Sequence, residues 1–263
     1  MSSQTLRLTL DDNGVIRLEL TRAELMNPFD NEQHDDFVRA IAEIRRESDA
    51  RSVLLSSAGR AFSAGGDVHF MQEVNSDPVR AREMIANGHE LMSAFLALRV
   101  PVVTAVQGPA MGLGANLAFA SDAVVAARTA KFADSHVRMG LVAGDGGVVV
   151  WPQVGGMMRA KRHLLTGDPL TAEDAFAAGM VTDLVDDIDE LIPTALALAT
   201  RLALLPPLAV QGTKQALARV LQQRAGEVLE LSLQLERESM TSEDLMEATT
   251  AFLEKRSGQF KGR

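Results

Sequence analysis

Hydrophobic and polar residues alternate in two short runs near the start of the chain. Every second position carries leucine or isoleucine, at Leu6, Leu8, Leu10, Ile16, Leu18 and Leu20. The sequence DDNG separates the two runs, and its Asn13 and Gly14 tolerate the positive φ angles of a tight turn. The pattern therefore predicts a β-hairpin in which each strand has one buried face.

Strand and helix patterns then follow one another up to about residue 147. Asp30 with Gln33 three positions later is typical of a helix N-terminus, and Phe37, Ile41 and Ile44 recur on one helical face. The runs SVLLSS, VPVVTAVQG and DAVVAA resemble buried strands, and helical patterns follow in ARE…LMSAFLAL and ANLAFA. This alternation predicts an α/β core whose ligand-binding loops gather at one end of the strands.

The pattern becomes helical after the segment GMVTDLV. Hydrophobic residues recur at helical spacing from residue 189 to residue 256, interrupted at Pro206 and Pro207. We therefore divide the chain into an α/β core over residues 1–188 and a C-terminal helical region over residues 189–263. Such a region can cover the core or pack on another subunit, and the sequence leaves both possibilities open.

Composition narrows the class of protein. The chain has 263 residues, of which 46% are hydrophobic and 23% are charged, as in globular proteins. Its net charge of −9 argues against nucleic acid or an anionic membrane as the main partner. The absence of cysteine and of a signal-peptide pattern favours the cytoplasm. The uncharged run 100–121 is long enough to span a bilayer, but its prolines, glycines and amides favour a strand, a loop and a helix.

Several common chemistries lack their motifs. The five histidines form no i,i+4 pair and no His-Glu-x-x-His, so we expect no metal site. His34 lies beside Asp35 and Asp36 on a probable helix face, and we expect its side chain to be solvated. GLGANL lacks the third glycine of a dinucleotide fingerprint, and GTK lacks the rest of a phosphate-binding loop. AFSAG only faintly resembles a nucleophile elbow around Ser63, because Ala61 replaces its first glycine.

Two glycine-containing loops give a stronger signal. RAFSAGGD follows the predicted strand SVLLSS, and GPAMGLG follows VPVVTAV. Glycines allow the backbone to approach a ligand closely, so N–H groups of both loops could converge on one carbonyl oxygen. Either loop alone is more simply a tight turn; the pair predicts an oxyanion hole.

Taken in order, these motifs resemble those of the crotonase family, the enoyl-CoA hydratase/isomerase superfamily. RAELMNPFD resembles its early CoA-contacting segment, and the two glycine loops resemble its oxyanion loops. LLTGDPLTAEDAFAAGMVTDLV and TAFLEKRSGQFKGR are similar to later family segments. The resemblance implies an α/β spiral of strand–strand–helix units, with C-terminal helices that form a homotrimer or a dimer of trimers. It also implies an acyl-CoA substrate, with coenzyme A entering as part of that substrate and no permanently bound cofactor.

The resemblance also implies roles for particular residues. The oxyanion donors would be the N–H groups of Ala64 and Leu113, the latter replacing the usual glycine. The implied substrate-binding residues are Arg22, Ala23, Leu25, Ala61, Gly65, Gly66, Asp67, Val68, Gly112, Asn116, Gly140, Leu141, Phe252 and Lys255.

The chain departs from the family at the catalytic acids. Hydratases of this family use two glutamates, and the matching positions here hold Asn116 and His136. Asn116 cannot exchange protons, whereas His136 titrates near neutrality. Asp145 lies in GLVAGDGG, and the His136–Asp145 spacing with GDGGVVVWP resembles the β-diketone hydrolase branch of the family. We predict that His136 and Asp145 are the acid/base pair; the simpler alternatives are a histidine bonded to backbone and an aspartate that caps a helix.

Three functions remain open at this point. The first is an acyl-CoA enzyme that stabilises a thioester enolate and catalyses hydration or double-bond migration. The second is a carbon–carbon hydrolase acting on a β-diketone. The third is an acyl-CoA-binding protein that has lost the catalytic acids, which Asn116 suggests.

Overall fold

The first elements form the predicted hairpin. The structure is a computed structural model that describes residues 5–263. Strands β1 (Leu6–Leu10) and β2 (Val15–Leu20) pair antiparallel, with Leu8 opposite Leu18. The turn between them is closed by a hydrogen bond from the Gly14 N–H to the Asp11 carbonyl, and Gly14 has a φ of 83°. The hairpin prediction is therefore confirmed.

A six-stranded sheet organises the fold. Its order is β1-β2-β3-β4-β6-β9, and every neighbouring pair except β1–β2 is parallel. A smaller sheet has the order β5-β7-β8. The remaining strands are β3 (Ser52–Ser57), β4 (Val102–Val106), β5 (Pro109–Met111), β6 (Ala123–Ala127), β7 (Lys131–Ala133), β8 (Leu170–Thr171) and β9 (Asp183–Val185).

Ten α-helices accompany these strands in the described part of the chain. They are α1 (Asn31–Arg46), α2 (Val68–Asn75), α3 (Pro78–Leu96), α4 (Leu113–Phe119), α5 (Gly147–Gly155), α6 (Met157–Leu164), α7 (Ala172–Ala177), α8 (Leu191–Leu204), α9 (Pro207–Met240) and α10 (Glu243–Glu254). Helix α1 begins as predicted, because the Asp30 side chain accepts a hydrogen bond from the Gln33 N–H. The order β4–β5–α4 is one strand–strand–helix unit of the predicted spiral.

The two faces of the large sheet bury different cores. Leu54 and Val103 pack with Ala199 of α8 on one face. The neighbouring residues Val53 and Leu55 belong to the larger core on the other face, which also contains side chains of α1, α3 and α5. This division follows from the alternation of side chains along a strand. The parallel strands are thus covered on both faces, as the α/β prediction requires.

The C-terminal region is helical, as predicted, and it is joined closely to the core. Helix α9 is 34 residues long and packs against α3 and α5. Lys214 of α9 reaches the core, where its ammonium lies 2.6 Å from a carboxylate oxygen of Asp122. Trimerisation through this region stays a prediction, although α8, α9 and the link between them expose the apolar side chains Leu204, Leu205, Leu208, Leu217, Val220, Leu231 and Leu235.

The uncharged run at residues 100–121 folds as β4, β5 and α4, so the predicted strand and helix are confirmed, whereas the predicted loop between them contains the short strand β5. Within residues 5–263, no single helix is both long enough and apolar enough to cross a membrane.

Candidate active site

The two glycine loops lie side by side, as the sequence predicted. The Ser63 N–H donates to the Pro109 carbonyl at 3.1 Å, and the Met111 N–H donates to the Ser63 carbonyl at 3.0 Å. Gly65 has a φ of 84°, and an added Cβ there would lie 3.2 Å from the Met111 carbonyl oxygen. Glycine is therefore needed at position 65 both for the backbone conformation and for the close approach of the second loop.

One of the two predicted oxyanion donors is wrong. The Ala64 N–H donates to the Met26 carbonyl at 2.8 Å, so it is already occupied. Gly66 of the same loop borders the central cavity together with Leu113. Neither of these two N–H groups donates to a protein acceptor within the described residues. Leu113 begins α4, where the first N–H groups have no partner inside the helix.

His136 is held between two aspartates at the cavity wall. It begins a 3-10 helix (His136–Met139) just after β7. Its Nδ1 lies 2.6 Å from a carboxylate oxygen of Asp134, and its Nε2 lies 3.3 Å from one of Asp145. Both nitrogens therefore face carboxylates, which orients the ring and favours its protonated form. His136 and Asp145 are brought together as the sequence predicted.

The simpler alternatives for these two residues do not describe the structure. Helix α5 begins after Gly146 and has no side-chain cap, so Asp145 does not cap it. Its second carboxylate oxygen instead accepts a hydrogen bond from the Asn116 amide at 2.7 Å. Asn116 is fully buried, and its own amide oxygen accepts from the Trp151 indole N–H at 2.9 Å. Asn116 thus positions the Asp145 carboxylate, and it does not border the cavity.

Glu236 is a third carboxyl group beside His136. It projects from α9 and is 3% exposed, with one oxygen 3.8 Å from His136 Nε2. Its other oxygen has no hydrogen-bond partner in the described structure. An added Cβ at Gly144 would collide with this oxygen and would lie 2.7 Å from the Ser232 carbonyl oxygen. Gly144 therefore gives α9 the room to bring Glu236 to the cavity.

Burial and neighbouring charges together set the protonation states of His136, Glu236 and Asp134. Burial alone would lower the pKa of His136, but the charges of Asp145 and Asp134 and hydrogen bonds to them raise it well above its usual value. Burial is the main reason why the pKa of Glu236 is raised to about 8. The charge of His136 lowers this pKa, whereas the charge of Asp145 raises it further. For Asp134, burial opposes ionisation, but the charge and hydrogen bonds of His136 lower the pKa overall. At neutral pH the site therefore holds an imidazolium between carboxylates, beside a protonated Glu236.

The central cavity is small and mostly apolar. Its volume is about 30 Å³, and its polar side chains are His34, His136, Asp145 and Glu236. The remaining lining residues are Phe29, Gly66, Met71, Met84, Ile85, Gly88, Leu113, Leu141 and Leu233. Four titratable groups in an apolar cavity are an arrangement suited to proton transfer with little competition from bulk water.

His34 lies on the same cavity. It is in the first turn of α1 and is 6% exposed, with its ring edge-on to Phe29 at 5.5 Å between centroids. Burial lowers the pKa of His34. The charges of Asp145, Asp30 and Asp35 raise it by less, so the ring is neutral at pH 7. Its Nδ1 has no hydrogen-bond partner in the described structure.

Among residues 5–263, one cluster of side chains has the geometry to hold a metal ion. Asp134, His136 and Asp145 could each offer a ligand atom, and these atoms lie within 4.8 Å of one another. An ion there would have to replace the hydrogen bonds that join His136 to both aspartates. The sequence-based expectation of no metal stays a prediction.

Most of the other predicted substrate-binding residues do not border the central cavity. Of that set, Gly66 and Leu141 do. The Arg22 guanidinium is bound to Asp30 and to the Pro28 carbonyl, and the Asp67 carboxylate caps α2. Contact with the substrate stays a prediction for Arg22 and Asp67 and for the rest, which are Ala23, Leu25, Ala61, Gly65, Val68, Gly112, Gly140, Phe252 and Lys255.

Three residues of the site were missed by sequence reasoning. Asp134 lies two positions before His136, and that proximity was a usable signal. His34 was read as a solvated side chain beside Asp35 and Asp36, which is wrong because its ring is buried. Glu236 is an acidic residue within a long helical pattern and carries no local signal of its role.

Comparison with known proteins places this geometry in a family. Residues 11–263 match the family model "Enoyl-CoA hydratase/isomerase". The chain is 36% identical to 1,2-epoxyphenylacetyl-CoA isomerase of Escherichia coli K12, over 96% of this chain and 97% of that protein. A crystal structure of an enoyl-CoA hydratase/isomerase from Mycobacterium paratuberculosis superposes with a TM-score of 0.90 at 33% identity, covering 94% of this chain and 98% of that one.

A second solved structure with a similar fold is that of a β-diketone hydrolase. It comes from Anabaena sp. PCC 7120 and is bound to (S)-3-oxocyclohexyl acetic acid. It superposes with a TM-score of 0.84 at 28% identity, covering 90% of this chain and 94% of that one.

Proposed function

The chain belongs to the enoyl-CoA hydratase/isomerase family, and on that premise we propose that it stabilises the enolate of an acyl-CoA thioester and moves protons with His136 and Asp145. One observation carries the proposal: His136 Nε2 lies 3.3 Å from the Asp145 carboxylate at the wall of a cavity that Gly66 and Leu113 also border, and the N–H groups of these two residues donate to no acceptor in the described structure. In this proposal a proton donor, a proton acceptor and an oxyanion site share one cavity.

The oxyanion site would be formed by the N–H groups of Gly66 and Leu113. Both residues border the cavity, and both N–H groups are available to a carbonyl oxygen. When a thioester becomes an enolate, negative charge develops on that oxygen, and preorganised N–H donors stabilise it without further reorganisation. Loss of one such donor typically lowers the rate by about 10²- to 10³-fold.

The two side chains would divide the proton transfers between them. The Asp145 carboxylate takes a proton from water or from a substrate carbon, and the His136 imidazolium gives a proton to the enolate carbon. Because the two groups are in contact, a proton can return from Asp145 to His136 after each turnover. Asp134 keeps the ring in position from the other side through its 2.6 Å contact with Nδ1.

The first experiment is hydration of crotonyl-CoA by the purified protein, followed by loss of the conjugated thioester absorbance. Double-bond migration is tested in parallel with 3-enoyl-CoA, which gains that absorbance. Turnover of either substrate that disappears in Asp145→Asn supports the proposal. Binding of butyryl-CoA without turnover of any substrate would instead favour the non-catalytic acyl-CoA-binding alternative.

A second candidate is hydrolysis of a carbon–carbon bond in a β-diketone. The buried imidazole flanked by carboxylates, with Asn116 replacing a glutamate, favours it, and the Anabaena β-diketone hydrolase has a similar fold. Here Asp145 would take a proton from a water molecule while the oxygen of that water attacks one carbonyl carbon. The bond between that carbon and its neighbour then breaks, the electron pair forms an enolate of the second carbonyl, and His136 protonates the enolate carbon.

The two candidates differ in whether coenzyme A is needed. Bicyclo[2.2.2]octane-2,6-dione is a suitable test substrate, since addition of water with ring opening yields 3-oxocyclohexyl acetic acid. Cleavage of this diketone together with no measurable binding of butyryl-CoA favours the hydrolase. Tight binding of butyryl-CoA and an intact diketone favour the acyl-CoA enzyme.

A further inference from the structure

His34 has an unusual combination of burial and missing partners. It is 6% exposed, yet its Nδ1 has no hydrogen-bond partner among the described residues. Buried polar groups are nearly always paired, and an unpaired one is costly. The ring is edge-on to Phe29, a contact that phenylalanine could make equally well. Packing therefore does not require a histidine here.

His34 lies at the cavity of the proposed active site. It borders the same cavity as Gly66, Leu113, His136 and Asp145. Its pKa is lowered by burial, so the neutral ring presents one N–H donor and one lone pair. The cavity wall also includes the apolar side chains of Phe29, Met71 and Met84. In mostly apolar surroundings each of the few polar groups selects for a complementary atom.

We propose that His34 donates a hydrogen bond to a second oxygen of the substrate, one distinct from the carbonyl oxygen bound by Gly66 and Leu113. The substrate class is then an oxygenated one, a keto- or hydroxy-substituted carbon skeleton, and a plain hydrocarbon chain is disfavoured. This inference rests on the proposed function, since it takes the first carbonyl to lie at the two backbone N–H groups. It applies equally to an acyl-CoA and to a β-diketone.

The test uses two pairs of ligands that differ by one ketone oxygen. They are hexanoyl-CoA with 3-oxohexanoyl-CoA, and cyclohexylacetate with 3-oxocyclohexylacetate. Dissociation constants are measured by calorimetry for the unaltered protein, for His34→Phe, and for His69→Phe as a control at an exposed histidine. His34→Gln keeps a hydrogen-bond donor and tests rescue, and thermal unfolding checks that each variant is folded.

We expect the keto member of whichever pair binds to bind at least about tenfold more tightly than its partner. That preference should fall to less than about twofold in His34→Phe, recover in part in His34→Gln, and be unchanged in His69→Phe. Binding of a pair without preference, or a preference that survives His34→Phe, overturns the inference and leaves the proposed function standing. If neither pair binds, the proposed function is refuted, and this inference is refuted with it.

Discussion

Replacement of Asp145 by asparagine tests the acid/base pair most directly. The substitution keeps the size of the side chain, and its amide oxygen can still accept the hydrogen bond from Asn116. The new amide N–H₂, however, would face His136 Nε2 and donate to it. That contact favours the neutral ring, so the variant loses both the carboxylate base and part of the imidazolium acid.

The geometry gives the size of this effect. At 3.3 Å and an effective dielectric constant of about 20, the attraction between His136 and Asp145 is about 5 kcal/mol. Asp134 still holds Nδ1 in the variant, so only part of this attraction bears on the protonation of the ring. General acid–base catalysis typically contributes about 10²- to 10⁴-fold in rate, and we expect kcat/KM to fall within that range.

The assay compares kcat/KM with binding in the same protein. Crotonyl-CoA hydration or diketone cleavage reports the rate, whichever the unaltered protein catalyses, and calorimetry with a non-reactive ligand reports affinity. Asp12→Asn, at an exposed aspartate of the β1–β2 turn, is the matched control. Retention of more than about a tenth of the activity in folded Asp145→Asn would refute the assignment of Asp145 as the base.

Three further variants test the surroundings of the site. In Glu236→Gln we expect stability to fall less steeply with rising pH than in the unaltered protein. The folded-state pKa of Glu236 is raised to about 8, so its contribution to stability is lost between the unfolded pKa near 4.5 and pH 8, by about 1.4 kcal/mol per pKa unit. The raised pKa of His136 remains in the variant and still lowers its stability above about pH 6.5, so urea unfolding of both proteins at pH 5 and pH 8 measures the contribution of Glu236. Lys214→Met leaves the Asp122 carboxylate without its cation, so we expect a loss of about 2–3 kcal/mol in unfolding free energy with little change in kcat. The control Lys131→Met, at an exposed site, should change neither the unfolding free energy nor kcat. Gly144→Ala should lower the unfolding free energy by about 1–3 kcal/mol and lower kcat, because the added Cβ displaces Glu236. In Gly88→Ala the added Cβ meets nothing within 4 Å, so the unfolding free energy should rise by up to about 1 kcal/mol. Equal effects of the two substitutions would contradict the packing argument.

The fold was predictable where one local rule decides the outcome. The hairpin follows from alternation around Asn13 and Gly14, and the start of α1 follows from the cap at Asp30. The two glycine loops were also predictable as neighbours, because parallel strands present the loops at their carboxyl ends to one edge of the sheet. The residue of the first loop that keeps an unoccupied N–H group was not predictable. Whether Ala64 or Gly66 has a free N–H depends on the carbonyl of Met26, which lies far away in the sequence.

The site was predictable only where its members share one segment. His136 and Asp145 lie nine positions apart and could be joined by inspection. Glu236 reaches them only because α9 packs on α3 and α5, and that packing is set by many weak contacts. The prediction for His34 was wrong because its neighbours in the sequence were misleading. Its acidic neighbours in the sequence suggested solvent, whereas the helical register turns its ring inward beside Phe29.

The location of Glu236 on α9 has a consequence for the growing chain on the ribosome. His34, His136 and Asp145 all leave the ribosome well before Leu233 and Glu236, which complete the wall of the cavity. A nascent chain that has folded only its sheet therefore leaves these side chains open to bulk water, which weakens their electrostatic coupling. The cavity is thus completed late in synthesis, when α9 docks, rather than when the sheet is formed.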